Sequence, residues 1–222
     1  MSAIPHPATG DHRARLLTAL ADSIRDQGLR GTQIADIVRR ARTSRRTFYE
    51  CFEDKEACFV ELVREATTQM LAEIEASVDE SAPWQVQIDQ SIDIYVQALA
   101  QDPAMTATIS RELPALGLRG AAVQREGIER YADFMVRMLA AAPMRQAGVH
   151  APSRETAVML LGGVNELVIH AVDHGQPLST VAAVAKDVIK AVIDPGRSAG
   201  ADHLPDAAGE PTDPAQSGSK QP

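Results

Sequence analysis

Thirteen prolines fix where this chain of 222 residues can hold helix, because proline lacks an N–H and clashes with the preceding turn inside one. Pro5 and Pro7 lie in a leading stretch. Pro83, Pro103, Pro114, Pro143, Pro152 and Pro177 punctuate the middle, and Pro195, Pro205, Pro211, Pro214 and Pro222 crowd the end. Between them apolar residues recur at three- and four-residue steps, as in Leu16, Leu20, Ile24; Phe59, Val63, Ala66, Met70, Ile74; and Val181, Val184, Val188, Val192. That period predicts an all-α fold of about nine helices and no strand. Composition points the same way: 36 alanines against 4% aromatic residues favour helices packed side by side over sheets.

The same punctuation predicts four parts: a flexible tail at 1–10, a head at 11–53, a helical body at 54–193 and a tail at 194–222. The last is rich in Pro, Gly, Ala and Asp and holds almost no large apolar residue, so disorder is expected there. No apolar run approaches the roughly 18 residues of a membrane span. A cytoplasmic chain with no membrane partner is the expectation. Cys51 and Cys58 match no zinc spacing and cannot form a disulfide framework.

Net charge is −8, but the average hides a division. Residues 11–52 carry nine Arg and no Lys against five acidic residues, a net of +4, and the rest of the chain sums to −12. A small basic head on an acidic body suggests a head that meets a polyanion. Arg suits planar, bidentate hydrogen bonding.

Within the head, residues 32–52 read TQIADIVRRARTSRRTFYECF. This divides into a helix capped by Thr32, a short turn at Arg42 and Thr43, and a second helix capped by Thr43 or Ser44: a helix-turn-helix. Phe48 and Phe52 are one turn apart and should face inward onto Ile34, Ile37 and Val38 and onto Leu16, Leu20 and Ile24. Arg46, Thr47, Tyr49 and Glu50 then point outward, with Arg45 at the boundary. A short second helix with two Arg in its first turn suits a DNA major groove. Arg45, Arg46 and Thr47 are the candidate base readers; Thr32, Thr43, Ser44, Tyr49 and Lys55 are candidates for positioning phosphates.

From Arg13 to about Val63 the chain resembles the TetR family of bacterial transcriptional regulators. The markers are Gly28, Thr32, Ile37, Ala41, Ser44, Thr47-Phe48-Tyr49, Phe52 and Lys55-Glu56. Three positions depart from the family pattern: Arg42 stands where Gly is typical, Arg46 where a small residue is, and Cys51 where His or an aromatic is frequent. The resemblance implies a homodimer on a palindromic site in double-stranded DNA and a small-molecule effector in the body. It also implies dimerisation through the last two long helices, with Gly162, Gly163, Leu167, Val181, Val184 and Val188 as interface candidates. Gly162 and Gly163 fall mid-helix, where glycine costs up to about 1 kcal/mol relative to Ala, so a close contact should compensate them.

The family's body encloses an apolar cavity, for which Met70, Trp84, Tyr95, Met105, Tyr131, Phe134, Met135 and Met138 are the candidates here; Met and aromatic residues adapt well around a hydrophobic molecule. Glu166, His170 and His174 recur every four residues, with Asp173 beside them. No second ligand helix accompanies them, so a polar stripe is the plainer reading, and neither metal nor cofactor is expected. The sequence thus points to a non-enzymatic, ligand-responsive DNA-binding regulator, most simply a repressor. A helical-bundle metal-binding enzyme and a carrier of hydrophobic molecules are the alternatives.

Overall fold

The computed structural model describes residues 9–197, and the described residues form ten α-helices and a short 3-10 turn without a strand. The expected tails at 1–10 and 194–222 lie outside the described residues except at their inner edges. There, residues 9 and 10 are already helical and Pro195–Arg197 forms the 3-10 turn.

The head comprises α1 (Thr9–Gly31), α2 (Ile34–Arg40) and α3 (Arg45–Cys51). Gly28 breaks α1 with φ +71°, a left-handed value that glycine adopts without a Cβ penalty. The body comprises α4 (Lys55–Ser77), α5 (Trp84–Gln101), α6 (Pro103–Ala115), α7 (Leu118–Leu139), α8 (Ala142–Gln146), α9 (Arg154–Asp173) and α10 (Leu178–Ile193). Pro83 and Pro177 stand at the caps of α5 and α10, and Pro103 and Pro143 lie in the first turns of α6 and α8, where a missing N–H costs nothing. Asp54, Asp102 and Ser153 accept from the N–H groups of Ala57, Met105 and Thr156, capping α4, α6 and α9. The α6–α7 corner is tight. Gly117 has φ +60°, and a Cβ on Gly120 would lie 1.7 Å from the carbonyl oxygen of Leu113, so the two helices touch through backbone at that point.

Packing does not respect the expected division at residue 53. One buried cluster joins Leu16, Leu20, Ile24, Ile37, Phe48 and Phe52 of the head to Cys58, Phe59, Val60 and Val63 of α4, Leu113 of α6 and Val123 of α7. The first two turns of α4 therefore belong physically to the head's core. A second cluster fills the body between α5, α7, α9 and α10, including Ile88, Ala132, Leu139, Leu160 and Ile189. By length and composition α9 could cross a membrane, with mean hydropathy 1.3 and 22% of that stretch buried; Ala157, Leu160, Val168 and Ala171 are its buried residues.

Candidate nucleic-acid interface and ligand cavity

The helix-turn-helix starts from capping, with one correction. Thr32 does not cap α2: its hydroxyl donates to the Gly28 carbonyl at 2.7 Å and the residue is buried. Gln33 is the N-cap, and its N–H donates to Asp36 Oδ2 at 3.1 Å. Backbone N–H donation from Thr32 to Gly28 and Leu29 completes the turn, so Thr32 offers nothing outward. Ser44 caps α3, its Oγ accepting from the Thr47 N–H at 3.1 Å and lying 2.9 Å from Thr47 Oγ1. Between the helices Arg42 has φ +50°, the one left-handed non-glycine among the described residues.

Phe48 and Phe52 point inward at 0% and 5% exposure, their rings tilted at 48° with centroids 5.7 Å apart, and Tyr49 stands outward with its ring edge-on to Phe48 at 5.6 Å. Arg45 and Arg46 are both exposed on the first turn of α3. Arg46 Nε donates to Glu50 Oε1 at 2.9 Å. Most other head arginines are also engaged: Arg13 with Glu61, Arg25 with Asp22 and Asp102, Arg30 with Glu112, Arg39 with Asp36 and Arg40 with Asp26. Arg15 bonds His12. The guanidinium groups of Arg42 and Arg45 carry no ion pair or hydrogen bond among the described residues, although the Arg42 backbone N–H donates to the Arg39 carbonyl. The sequence places Arg42 in the turn but offers no reason to count it among the candidate contacts, because its exposure there depends on a backbone angle rather than on helical spacing.

Lys55 departs from expectation. Its ammonium donates to the carbonyls of Leu29 and Thr32 at 2.7 and 2.9 Å, tying the end of α1 to the start of α4. Two of its three donors thus serve the head's own cohesion, and the residue is half-buried. Cys58 is fully buried, and burial pushes its thiol up to about 12, so it packs as an apolar group.

In the body, a cavity of about 240 Å³ opens between α4, α5, α6, α7, α9 and α10. Tyr95, Tyr131, Phe134, Met135 and Met138 line it, as expected. Met70, Trp84 and Met105 do not: Trp84 packs against the body cluster, Met105 against the head cluster, and Met70 stays half-buried on α4. Missed in the sequence were β-branched walls such as Ile88, Ile92 and Ile128 and the polar Gln124 and Asn165. Val63, Leu113 and Val123 belong both to the wall and to the head's cluster. Three wall side chains thus belong to the same buried cluster as Phe48 of α3.

On the outer face of α9 and α10, Met159, Leu167, Val184 and Val188 are exposed at 67%, 39%, 45% and 46%. A Cβ added at Gly162 or Gly163 meets nothing within 4 Å, so no contact among the described residues compensates these glycines. Val181 is instead buried in a cluster with Val168 and Ala171, which removes it from the interface candidates. His170 and His174 stack at 4.1 Å, with His174 Nδ1 2.8 Å from the His170 carbonyl oxygen.

Residues 16–62 match the model of the bacterial regulatory proteins, tetR family. No curated protein sequence matches the chain. Among solved structures, the chain is similar to the transcriptional regulator FadR from Bacillus subtilis in complex with stearoyl-CoA, at 19% identity over 82% of this chain and 98% of that one, with TM-score 0.62. The fatty acid degradation regulator FadR from Bacillus halodurans aligns at 16% identity over 84% and 96%, with TM-score 0.62. A TetR-family transcriptional regulator from Pectobacterium atrosepticum aligns at 17% identity over 86% and 96%, with TM-score 0.63. At these identities the structures speak for the fold alone, and the match over residues 16–62, from α1 into α4, says that this amino-terminal segment is similar to the helix-turn-helix head of the bacterial regulatory proteins, tetR family.

Proposed function

We propose that this chain acts in the cytoplasm as a homodimeric repressor that leaves a palindromic operator when a small hydrophobic molecule fills the body. The observation that carries the reading is the exposed first turn of α3, where Arg45 is free of any partner among the described residues and Arg46 is held only by a surface pair. Arg45, Arg46 and Thr47 would read bases, while Arg42, Thr43, Ser44 and Tyr49 hold the backbone. The head at 11–53 and the body at 54–193 are the working divisions despite their shared core.

Met159, Gly163, Leu167, Val184 and Val188 supply an apolar, close-packing face for a second copy. In such a dimer two α3 helices would enter successive major grooves about 34 Å apart. The largely apolar cavity and the stearoyl-CoA bound by the Bacillus subtilis relative support a hydrophobic effector. A ligand that favours one arrangement of Val63, Leu113 and Val123 would shift α3 through the common core, in proportion to its differential affinity for the two states. The pairs Arg25–Asp102 and Arg30–Glu112, from α1 to α6, lie on the same route. No catalytic step is proposed.

The reading is tested by selecting DNA from a random pool with the full chain. Enrichment of a palindrome, bound by two copies and released by a cavity ligand, is the expected result. Failure to enrich any sequence overturns it.

A further inference from the structure

On the reading that the body cavity is the effector site, we propose that it takes an uncharged apolar molecule bearing a hydrogen-bond-accepting oxygen, held by the hydroxyls of Tyr95 and Tyr131. Among the described residues, no Asp, Glu, Lys, Arg or His lines this cavity. A carboxylate or ammonium placed in it would lose its hydration without gaining a counter-charge, a cost that selects against ions.

The polar atoms in the wall are few, and they sort by whether they are already used. Thr67 and Ser91 donate to carbonyls of their own helices, those of Val63 and Gln87. The hydroxyls of Tyr95 and Tyr131 donate to nothing among the described residues, and the side-chain amides of Gln124 and Asn165, likewise unpaired there, add further donors to the wall. The two tyrosine rings meet edge to face at 5.7 Å, which packs the two side chains against each other from α5 and α7 in the wall of one cavity. Burial pushes the Tyr95 phenol up to about 12, and it raises Tyr131 further, so both keep their protons at neutral pH. Unused donors in an apolar wall are costly until an acceptor arrives, which is how such a site rejects a ligand lacking one.

The nearest route for a charged headgroup is also unfavourable. A second cavity of about 220 Å³ shares Ile74, Phe134 and Met138 with the first and contains Arg137, but Glu75 and Glu80 line it as well. Its formal charge is therefore negative, and it offers no net attraction to an anion.

Three probes with matched chains separate the possibilities: methyl hexyl ketone, octanoate and n-octane. Binding to the full chain would be measured by calorimetry and thermal shift at about pH 7.5, where a carboxylate is ionised. The ketone should bind at least about tenfold more tightly than octanoate, which must be desolvated without a partner. Tyr95→Phe and Tyr131→Phe, which keep the rings and the packing, should each weaken the ketone about three- to tenfold and leave n-octane unchanged. Octanoate binding as tightly as the ketone, equal losses for ketone and alkane in the Phe variants, or no binding by any probe would each overturn the assignment. DNA affinity is read separately. Ketone binding with no effect on DNA supports this cavity chemistry and contradicts the ligand response, whereas release of DNA by octanoate does the reverse.

Discussion

Arg46 and Glu50 form an i,i+4 pair on the outer face of α3, Nε to Oε1 at 2.9 Å, with the Arg46 side chain 89% exposed. Exposed pairs of this kind are worth only about 0.3–0.5 kcal/mol, whereas a bidentate contact from Arg to guanine gives about 1–3 kcal/mol of discrimination. The groove wins that competition, so the pair does not remove Arg46 from base reading. Arg45→Ala and Arg46→Ala should each relax a half-site position when assayed at one salt concentration against the selected operator and its point variants. A uniform loss across all variants would mean that the two arginines only position the backbone.

Arg42 sits in the left-handed region, where a residue with a Cβ pays about 1–2 kcal/mol. Arg42→Gly should therefore raise the melting temperature while removing a free cation from the turn. The same variant should lower the slope of log affinity against log salt by about one. Stability and DNA affinity moving together in either direction would contradict the assignment.

Lys55 supports the head from within. Lys55→Met removes two hydrogen bonds to backbone carbonyls at a cost of about 1–3 kcal/mol and should lower the melting temperature. The salt slope should stay at its wild-type value. A slope reduced by one with an unchanged melting temperature would return Lys55 to the phosphates.

Gly163 offers a test in which protomer and dimer respond in opposite directions. With nothing within 4 Å of an added Cβ, Gly163→Leu should stabilise the helix itself by up to about 1 kcal/mol. In the dimer the side chain would overpack a close contact at about 1–3 kcal/mol. Sedimentation should show a weaker dimer; an unaltered dissociation constant would place the interface elsewhere.

Where the sequence was legible, local periodicity and caps decided the structure. The inward Phe48 and Phe52 follow from spacing alone, the cap narrows to Thr43 or Ser44, and the prolines mark the helix starts at Pro83, Pro103, Pro143 and Pro177, whereas Pro114 lies inside α6 near its end. Thr32 was misleading because a Thr before a helix reads as a cap, yet the cap that formed joins Gln33 to Asp36 and leaves Thr32 to bond back to Gly28. Lys55 reads as a solvent cation until α1 folds against α4 and brings two carbonyls to it. Val181 lies angularly between the inward row of Ala185 and Ile189 and the outward row of Val184 and Val188, so the period leaves it undecided. Tyr95, Leu99 and Leu178 packing around its cluster decide it. The cavity wall was half legible for the same reason: aromatic and Met residues stand out, but which face a void depends on how six helices meet.

The central claim, a ligand-responsive dimer on DNA, is tested most directly by the anisotropy of a labelled selected operator titrated with the full chain, with and without a ligand that binds the cavity. The account predicts saturation at two copies per palindrome, half-sites one helical turn apart, affinity falling steeply with salt, and release when the cavity is filled. Saturation by a single copy, or an affinity unmoved by a ligand shown to occupy the cavity, would contradict it.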